Sequence, residues 1–289
     1  MTRECIDLQA EIDALLADGY CLEMIMPADA PRLARLSRGN EILELRIAAN
    51  LQSKIRDPQS KGRAGMEYRD LIPDRLGGRV IASHIRIANG GEVSDYVHYH
   101  KIRFQMIFCK AGWIRVVYED QGPPFLMHAG DCVLQPPGIR HRVLESSAGA
   151  EVIEVSSPAE HETWVEHKLK LPTAQVKPDR MFEGQWFVLH RAGGADLSDA
   201  CAITETDIER ATDGLAHVRV VRLAAGAVYS PGPFGEFVLF YVLSGSLRTN
   251  ESNQTLRADE HIVFSRNVDV LTLRASEDAE FLEVRLREI

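Results

Sequence analysis

Hydrophobic residues along this chain recur with two periods. Over residues 4–18, Leu8, Ile12, Leu15 and Leu16 make an apolar stripe at helical spacing, with Thr2 as the expected N-cap and Gly19 as the residue that ends the helix. From Tyr20 to Met26 the pattern turns strand-like, until Pro27 and Pro31 break it, and Glu41 to Ile47 is the next short strand. Residues 50–77 are polar and nearly aperiodic, which predicts a long connection, draped over the following domain or disordered. From Arg79 the chain becomes a series of short strands broken by turn residues. The segment from Arg79 to Ile87 ends at Asn89-Gly90-Gly91, and Phe104–Cys109 and Trp113–Tyr118 flank Ala111-Gly112. Asp131–Leu134, Arg142–Leu144 and Val152–Val155 follow. Strands at this spacing with no helices between them predict an antiparallel barrel or jelly roll.

A second block begins near Trp186, after a linker marked by Pro172 and Pro178, and repeats the layout. Aligning Ala111-Gly112 with Ser244-Gly245 places Phe104-Gln105 opposite Phe237-Val238. Aligning Ala129-Gly130 with Ala258-Asp259 places His141 opposite Val270. The chain therefore reads as an internal duplication. The expected organisation is an N-terminal helix, short strands and connection at 1–77, a first barrel at 78–170, a linker at 171–185 and a second barrel at 186–289. The fold class expected is all-β.

Composition adds exclusions. The chain has 289 residues, 45% of them hydrophobic and 26% charged, which suits a globular protein. A formal charge of -9 argues against nucleic acid as a partner, because phosphate binding needs a basic stripe. No apolar run is long enough to span a bilayer, and the acidic first residues lack the basic-then-apolar order of a secretory signal. The five cysteines are scattered and form no C-x-x-C, which reads as reduced thiols in a cytoplasmic protein.

The candidate chemistry lies between Gly91 and His141. Successive side chains of a strand point to opposite faces, so His98 and His100 share one face. Two imidazoles there, with a third from His141 on another strand, make the beginnings of a metal site. The remaining histidines, His84, His161, His167, His190, His217 and His261 among them, show no pattern and read as surface or core residues. The stretch from Pro158 to His167 reads as a solvated helix or loop face. Tyr96 has the parity of His98 and His100, and either lines the pocket or packs as an interior aromatic. Arg103 has the parity of Gln105, and either meets a substrate carboxylate or snorkels to solvent. Arg140 sits beside His141, and Cys109 and Cys132 fit small core positions.

These residues resemble two motifs of the cupin superfamily. His98-Tyr99-His100, position 105 and Gly112 fit the first, with Gly91 one residue further away than the pattern has it. Gly130, Pro136, Gly138 and His141 fit the second without adjustment. The resemblance covers residues 78–157 well and 186–289 weakly, so the chain resembles a bicupin with a degenerate C-terminal half. Pro231 and Pro233 occupy the neighbourhood of the paired histidines in that half. The resemblance implies one divalent transition metal (Fe, Mn, Ni, Cu or Zn) on His98, His100 and His141. Gln105, where the family has glutamate, would be a fourth ligand or an orienting group. It further implies a dioxygenase-type oxidoreductase acting on a small anionic or chelating substrate, with Tyr96 and Arg103 as substrate contacts. The alternatives are a metal-dependent isomerase or lyase acting on a sugar or small acid, and a small-molecule-binding module. A homodimer is expected, since unpaired edge strands need covering.

Overall fold

A computed structural model describes residues 1–29, 31–48, 59–61, 66–193, 199–233, 235–251, 254–265 and 271–289. The expected alignment partner Val270 lies outside the described residues, as does part of the connection expected over 50–77. Its described part is not all loop, since Gln59–Lys61 and Glu67–Asp70 pair with each other and Glu67–Asp70 pairs with Ile81–Ile87. The described residues group into two units, Met1–Ala129 with Gln135–Glu183, and Gly130–Leu134 with Gly184–Ile289.

The N-terminal helix is shorter than its apolar stripe predicted, running over Leu8–Ala17. Asp7 caps it rather than Thr2, its carboxylate accepting from Ala10 N at 3.0 Å. Thr2–Cys5 is instead a strand that pairs in parallel with Glu41–Ile47. Leu8, Ile12 and Leu15 are buried, whereas Leu16 is 43% exposed. Gly19, at φ +85°, ends the helix as expected, with Tyr20 N returning to Leu15 O at 3.0 Å.

The first unit holds two sheets. In one, the neighbours run Thr2–Cys5, Glu41–Ile47, Leu33–Arg38, Cys21–Met26, Glu162–Val165, His98–Lys101, His141–Ser146, Trp113–Tyr118 and Phe125–His128, with Gly91–Glu92 beside His141–Ser146. The other takes Phe104–Ala111, Ala150–Ser157, Ile81–Ile87, Glu67–Asp70 and Gln59–Lys61 in that order. The stretch predicted as a solvated face is corrected here: Glu162–Val165 is an interior strand, hydrogen-bonded to Cys21–Met26 on one side and His98–Lys101 on the other. Its alternation of Thr163 and Val165 with Glu162 and Trp164 is too brief to register as a period against four charged or histidine neighbours.

The second unit repeats this plan. Cys201–Glu205, Ala216–Leu223, Ala279–Leu286, Phe237–Ser244 and His261–Phe264 form one sheet, and Val228–Tyr229, Leu273–Ala275, Ser246–Thr249 and Thr255–Arg257 another. Val188–His190 pairs with Cys132–Leu134. Phe104 pairs with Ser157 and Phe237 with Leu286, so the predicted equivalence of Phe104 and Phe237 matches the pairing. Both long strands bulge shortly before the glycine that follows, between Cys109 and Ala111 and between Val242 and Ser244. Gly112 at φ +70° and Gly245 at φ +72° occupy the left-handed region that favours glycine. The interior of the second unit is filled by Val221, Val238, Phe240, Val242, Leu273 and Phe281 with their neighbours. The all-β, two-jelly-roll architecture predicted from the strand pattern is the one observed.

Candidate metal centre

The pleat sorts the walls of a cavity in the first unit. Every second residue of several strands lines it: Ile81, Ser83 and Ile85; His98 and His100; Gln105 and Ile107; Ile114, Val116 and Tyr118; Val152 and Glu154. His98 and His141 stand directly opposite each other in adjacent strands, so the second motif delivers its histidine beside the first pair. Each of the three offers a ring nitrogen within 4.8 Å of the others, and all three rings are buried.

The outer ring nitrogens are already engaged. Nδ1 of His98 meets Tyr96 O at 2.8 Å, Nδ1 of His141 meets Ile139 O at 3.0 Å, and Nδ1 of His100 meets Thr163 Oγ1 at 2.9 Å. Carbonyls only accept, so His98 and His141 carry their proton on Nδ1 and present Nε2 as a lone pair. This is the arrangement that holds metal-ligating imidazoles in orientation. Asp95, buried nearby, binds Tyr96 N at 2.9 Å and Val143 N at 3.0 Å, and so ties the loop before His98 to the His141 strand. Three convergent, buried, pre-oriented imidazole nitrogens fit a divalent transition ion.

Gln105 is buried and lines the same cavity. Its Nε2 donates to Glu154 Oε1 at 2.8 Å, which leaves the amide oxygen as the group available to a cation. Tyr96 is half-buried, edge-on to the His98 ring at 5.8 Å, and is not among the cavity-lining residues. Arg103 is exposed and also absent from the lining. Its parity with Gln105 fails to bring it inward because it sits in the bend between His98–Lys101 and Phe104–Ala111, outside either pleat. Arg140 is taken up by Glu166 at 3.3 Å and lies over the Tyr99 ring. Cys109 and Cys132 are buried small residues, and burial pushes the Cys132 thiol well above its usual range.

Several lining residues were not among the candidates. Tyr118 stacks on His141 at 5.5 Å and receives a hydrogen bond from Gln135 at 2.7 Å. Glu154 is the lone carboxylate in the run Val152-Ile-Glu-Val155, a signal the sequence did carry. Asp29 lies in a turn well before the barrel and is bound by buried Arg75. His161 lies 5.2 Å from the His100 ring, with Nδ1 bonded to Pro158 O at 2.9 Å. Burial pushes the His161 imidazole below its usual pKa. No local pattern marks Asp29 or His161, since their segments reach the cavity only through sheet pairing.

Residues 84–156 match the cupin domain family. No curated protein sequence matches the chain. Among solved structures, the fold is similar to salicylate 1,2-dioxygenase from Pseudaminobacter salicylatoxidans, at 14% identity over 75% of this chain and 75% of that one, with a TM-score of 0.56. A mutant of that enzyme in complex with gentisate gives 15% identity over 72% and 69% of the two chains, with a TM-score of 0.52. A structure of oxalate decarboxylase gives 14% identity over 80% and 75%, with a TM-score of 0.54. Among the described residues, no helix is long and apolar enough to cross a membrane.

Proposed function

From the premise that this chain is a bicupin of the cupin superfamily, we propose that it is a metal-dependent oxidoreductase of dioxygenase type. Its substrate would be a small, metal-chelating organic molecule bound in the first-unit cavity. The observation that carries this reading is the trio of buried imidazoles whose Nδ1 atoms are engaged by Tyr96 O, Thr163 Oγ1 and Ile139 O. A divalent ion on His98, His100 and His141 would supply a Lewis-acidic, redox-capable centre. The chain's own residues do the rest. Thr163 and the two carbonyls fix the rings. Gln105, turned by Glu154, presents a neutral amide oxygen where the family pattern has a carboxylate. Ile85, Ile107, Ile114, Val116 and Val152 form apolar walls that exclude water and strengthen polar contacts inside. Tyr118 backs the His141 ring and holds its plane. Tyr96 would act through its carbonyl and ring on His98, while Arg103, exposed and outside the cavity lining, would meet a substrate carboxylate only from outside that wall.

A second reading, metal-dependent lyase, isomerase or decarboxylase chemistry without oxygen, is favoured by one observation: Glu154, a carboxylate in the cavity wall, suits proton transfer. One experiment separates the two. Untagged protein is analysed for metal, and oxygen consumption is then followed with a diketone, thiol and catechol panel, using His98→Ala as the control. Bound metal lost in the variant, with oxygen uptake on one substrate class, is the expected result. Metal present without oxygen uptake on any class moves the reading to the second, and metal uptake indifferent to His98→Ala overturns both. A cytoplasmic homodimer belongs to the same reading and is checked by sedimentation of the purified protein.

A further inference from the structure

Three acceptors in the cavity wall have no role in holding the imidazoles: Glu154, Asp29 and His161. Both donors to Glu154, Gln105 Nε2 at 2.8 Å and Ser156 Oγ at 2.9 Å, are neutral and meet the same oxygen, Oε1. Oε2 therefore carries no hydrogen bond, and no cation pairs with Glu154 among the described residues. Asp29 differs, because buried Arg75 matches its charge. His161 is 6% exposed; Pro158 O takes its Nδ1 proton, and its Nε2 is buried with no hydrogen-bond partner among the described residues. A buried polar atom left unpaired costs stability, and in a ligand cavity the natural explanation is a donor on the ligand.

The second unit contains the same carboxylate with its partner supplied from within. Strand register makes Glu283 the counterpart of Glu154: Glu154 pairs with Ile107 and Ser83, and Glu283 with Phe240 and Arg219. Where the first unit has Ser83, the second has Arg219. The Arg219 guanidinium meets the two Glu283 oxygens at 3.1 and 3.2 Å, Tyr229 donates its hydroxyl at 2.6 Å, and Arg285 adds a second cation. Glu283 is fully buried by these contacts. The first unit keeps the acceptor with no cation paired to it among the described residues, although Arg142 also lines the cavity.

We propose that this cavity takes a chelating substrate bearing a protonated amine, whose ammonium is held by Glu154 Oε2 and His161 Nε2. That group does for Glu154 what Arg219 does for Glu283. An ammonium only donates, which matches the two wall acceptors without a donor, Glu154 Oε2 and His161 Nε2. A substrate carboxylate at the same place would face the like charge of Glu154, with which no cation among the described residues is paired. The proposal rests on the metal-chelating reading above and narrows its substrate class.

The test uses the full chain loaded with Co(II) and three thiols of matched length: cysteamine, propane-1-thiol and 3-mercaptopropionate. Each is titrated anaerobically, and binding is read from the thiolate-to-cobalt charge-transfer absorption. The deciding quantity is the affinity ratio of cysteamine to 3-mercaptopropionate in wild type divided by that ratio in Glu154→Gln, which cancels the intrinsic acidity of the thiols. A quotient of tenfold or more, with both proteins compared at saturating cobalt, is expected. A quotient within twofold overturns the ammonium subsite and leaves the metal reading standing. Cobalt bound but no charge-transfer band with any of the three overturns the chelating-substrate reading itself. Ser83→Arg supplies a second comparison should Glu154→Gln fold poorly. It installs the counterpart of Arg219, and it should remove the preference for cysteamine.

Discussion

Thr163 offers the sharpest test of how the imidazole cluster is built. It comes from a strand the sequence reading did not foresee, stands opposite His100 in the sheet register and is fully buried. Its Oγ1 lies 2.9 Å from His100 Nδ1. Thr163→Val keeps the volume and the β-branch but removes the hydroxyl, so the strand should persist while the His100 ring loses the partner that sets its orientation. Leaving a buried donor unpaired costs about 1–3 kcal/mol. If that cost falls on the metal-binding orientation, affinity drops by roughly 10–100-fold, the range found for outer-shell partners of ligating histidines. The assay is competition for Zn(II) against a chromophoric chelator, run beside thermal unfolding of the metal-free protein. Unchanged affinity in the variant, with the fold intact, would refute the assignment of Thr163 as an orienting partner. Tyr96→Phe should leave affinity unchanged, since Tyr96 meets His98 through its backbone carbonyl, and a fall there would contradict that role for Tyr96.

Three other substitutions probe the frame. Arg75 is 4% exposed and binds both Asp29 and Asp70, so Arg75→Met leaves two carboxylates poorly compensated and should cost about 3–5 kcal/mol in denaturant unfolding; a loss under 1 kcal/mol would contradict it. At Gly245 an added Cβ would lie 2.1 Å from Asp278 O at φ +72°, so Gly245→Ala should lose about 2 kcal/mol or more, seen as a lower melting temperature. Burial works to raise the Glu151 carboxyl, but Lys110 and His84 outweigh it and hold the group below its usual range. A depressed carboxylate stabilises the fold above its unfolded pKa, near 4.3, and loses that contribution as pH falls through the folded value. The melting-temperature advantage of wild type over Glu151→Gln should therefore be full at pH 6 and shrink on acidification, and a pH-independent difference would contradict the pairing.

The legible part of the site was the part written in short-range geometry. His98 and His100 share a face because a pleat alternates, and the glycine and proline spacing after Gly130 fixed where His141 would fall. Arg103 shows the limit of that reasoning, since parity holds only inside one strand and a bend intervened. The helix start was misplaced by the same kind of local ambiguity: Asp7 and Thr2 are both capping residues, and pairing of Thr2–Cys5 with Glu41–Ile47 decided between them.

Sequence alone determined the all-β strand layout, its repetition and the three imidazoles. Those follow from periodicity, turn residues and residue identity, which need no knowledge of distant contacts. Only the tertiary structure decided what surrounds them. Glu162–Val165 folds back beside His98–Lys101 and carries Thr163 and His161 to the cluster, and Asp29 reaches the same cavity from the N-terminal segment. Register between strands far apart in the chain set Ser83 against Glu154 and Arg219 against Glu283. A two-residue period says which face a side chain takes; which strand lies beside it is settled by long-range pairing, and that pairing left one carboxylate facing a cavity and the other sealed by guanidinium groups.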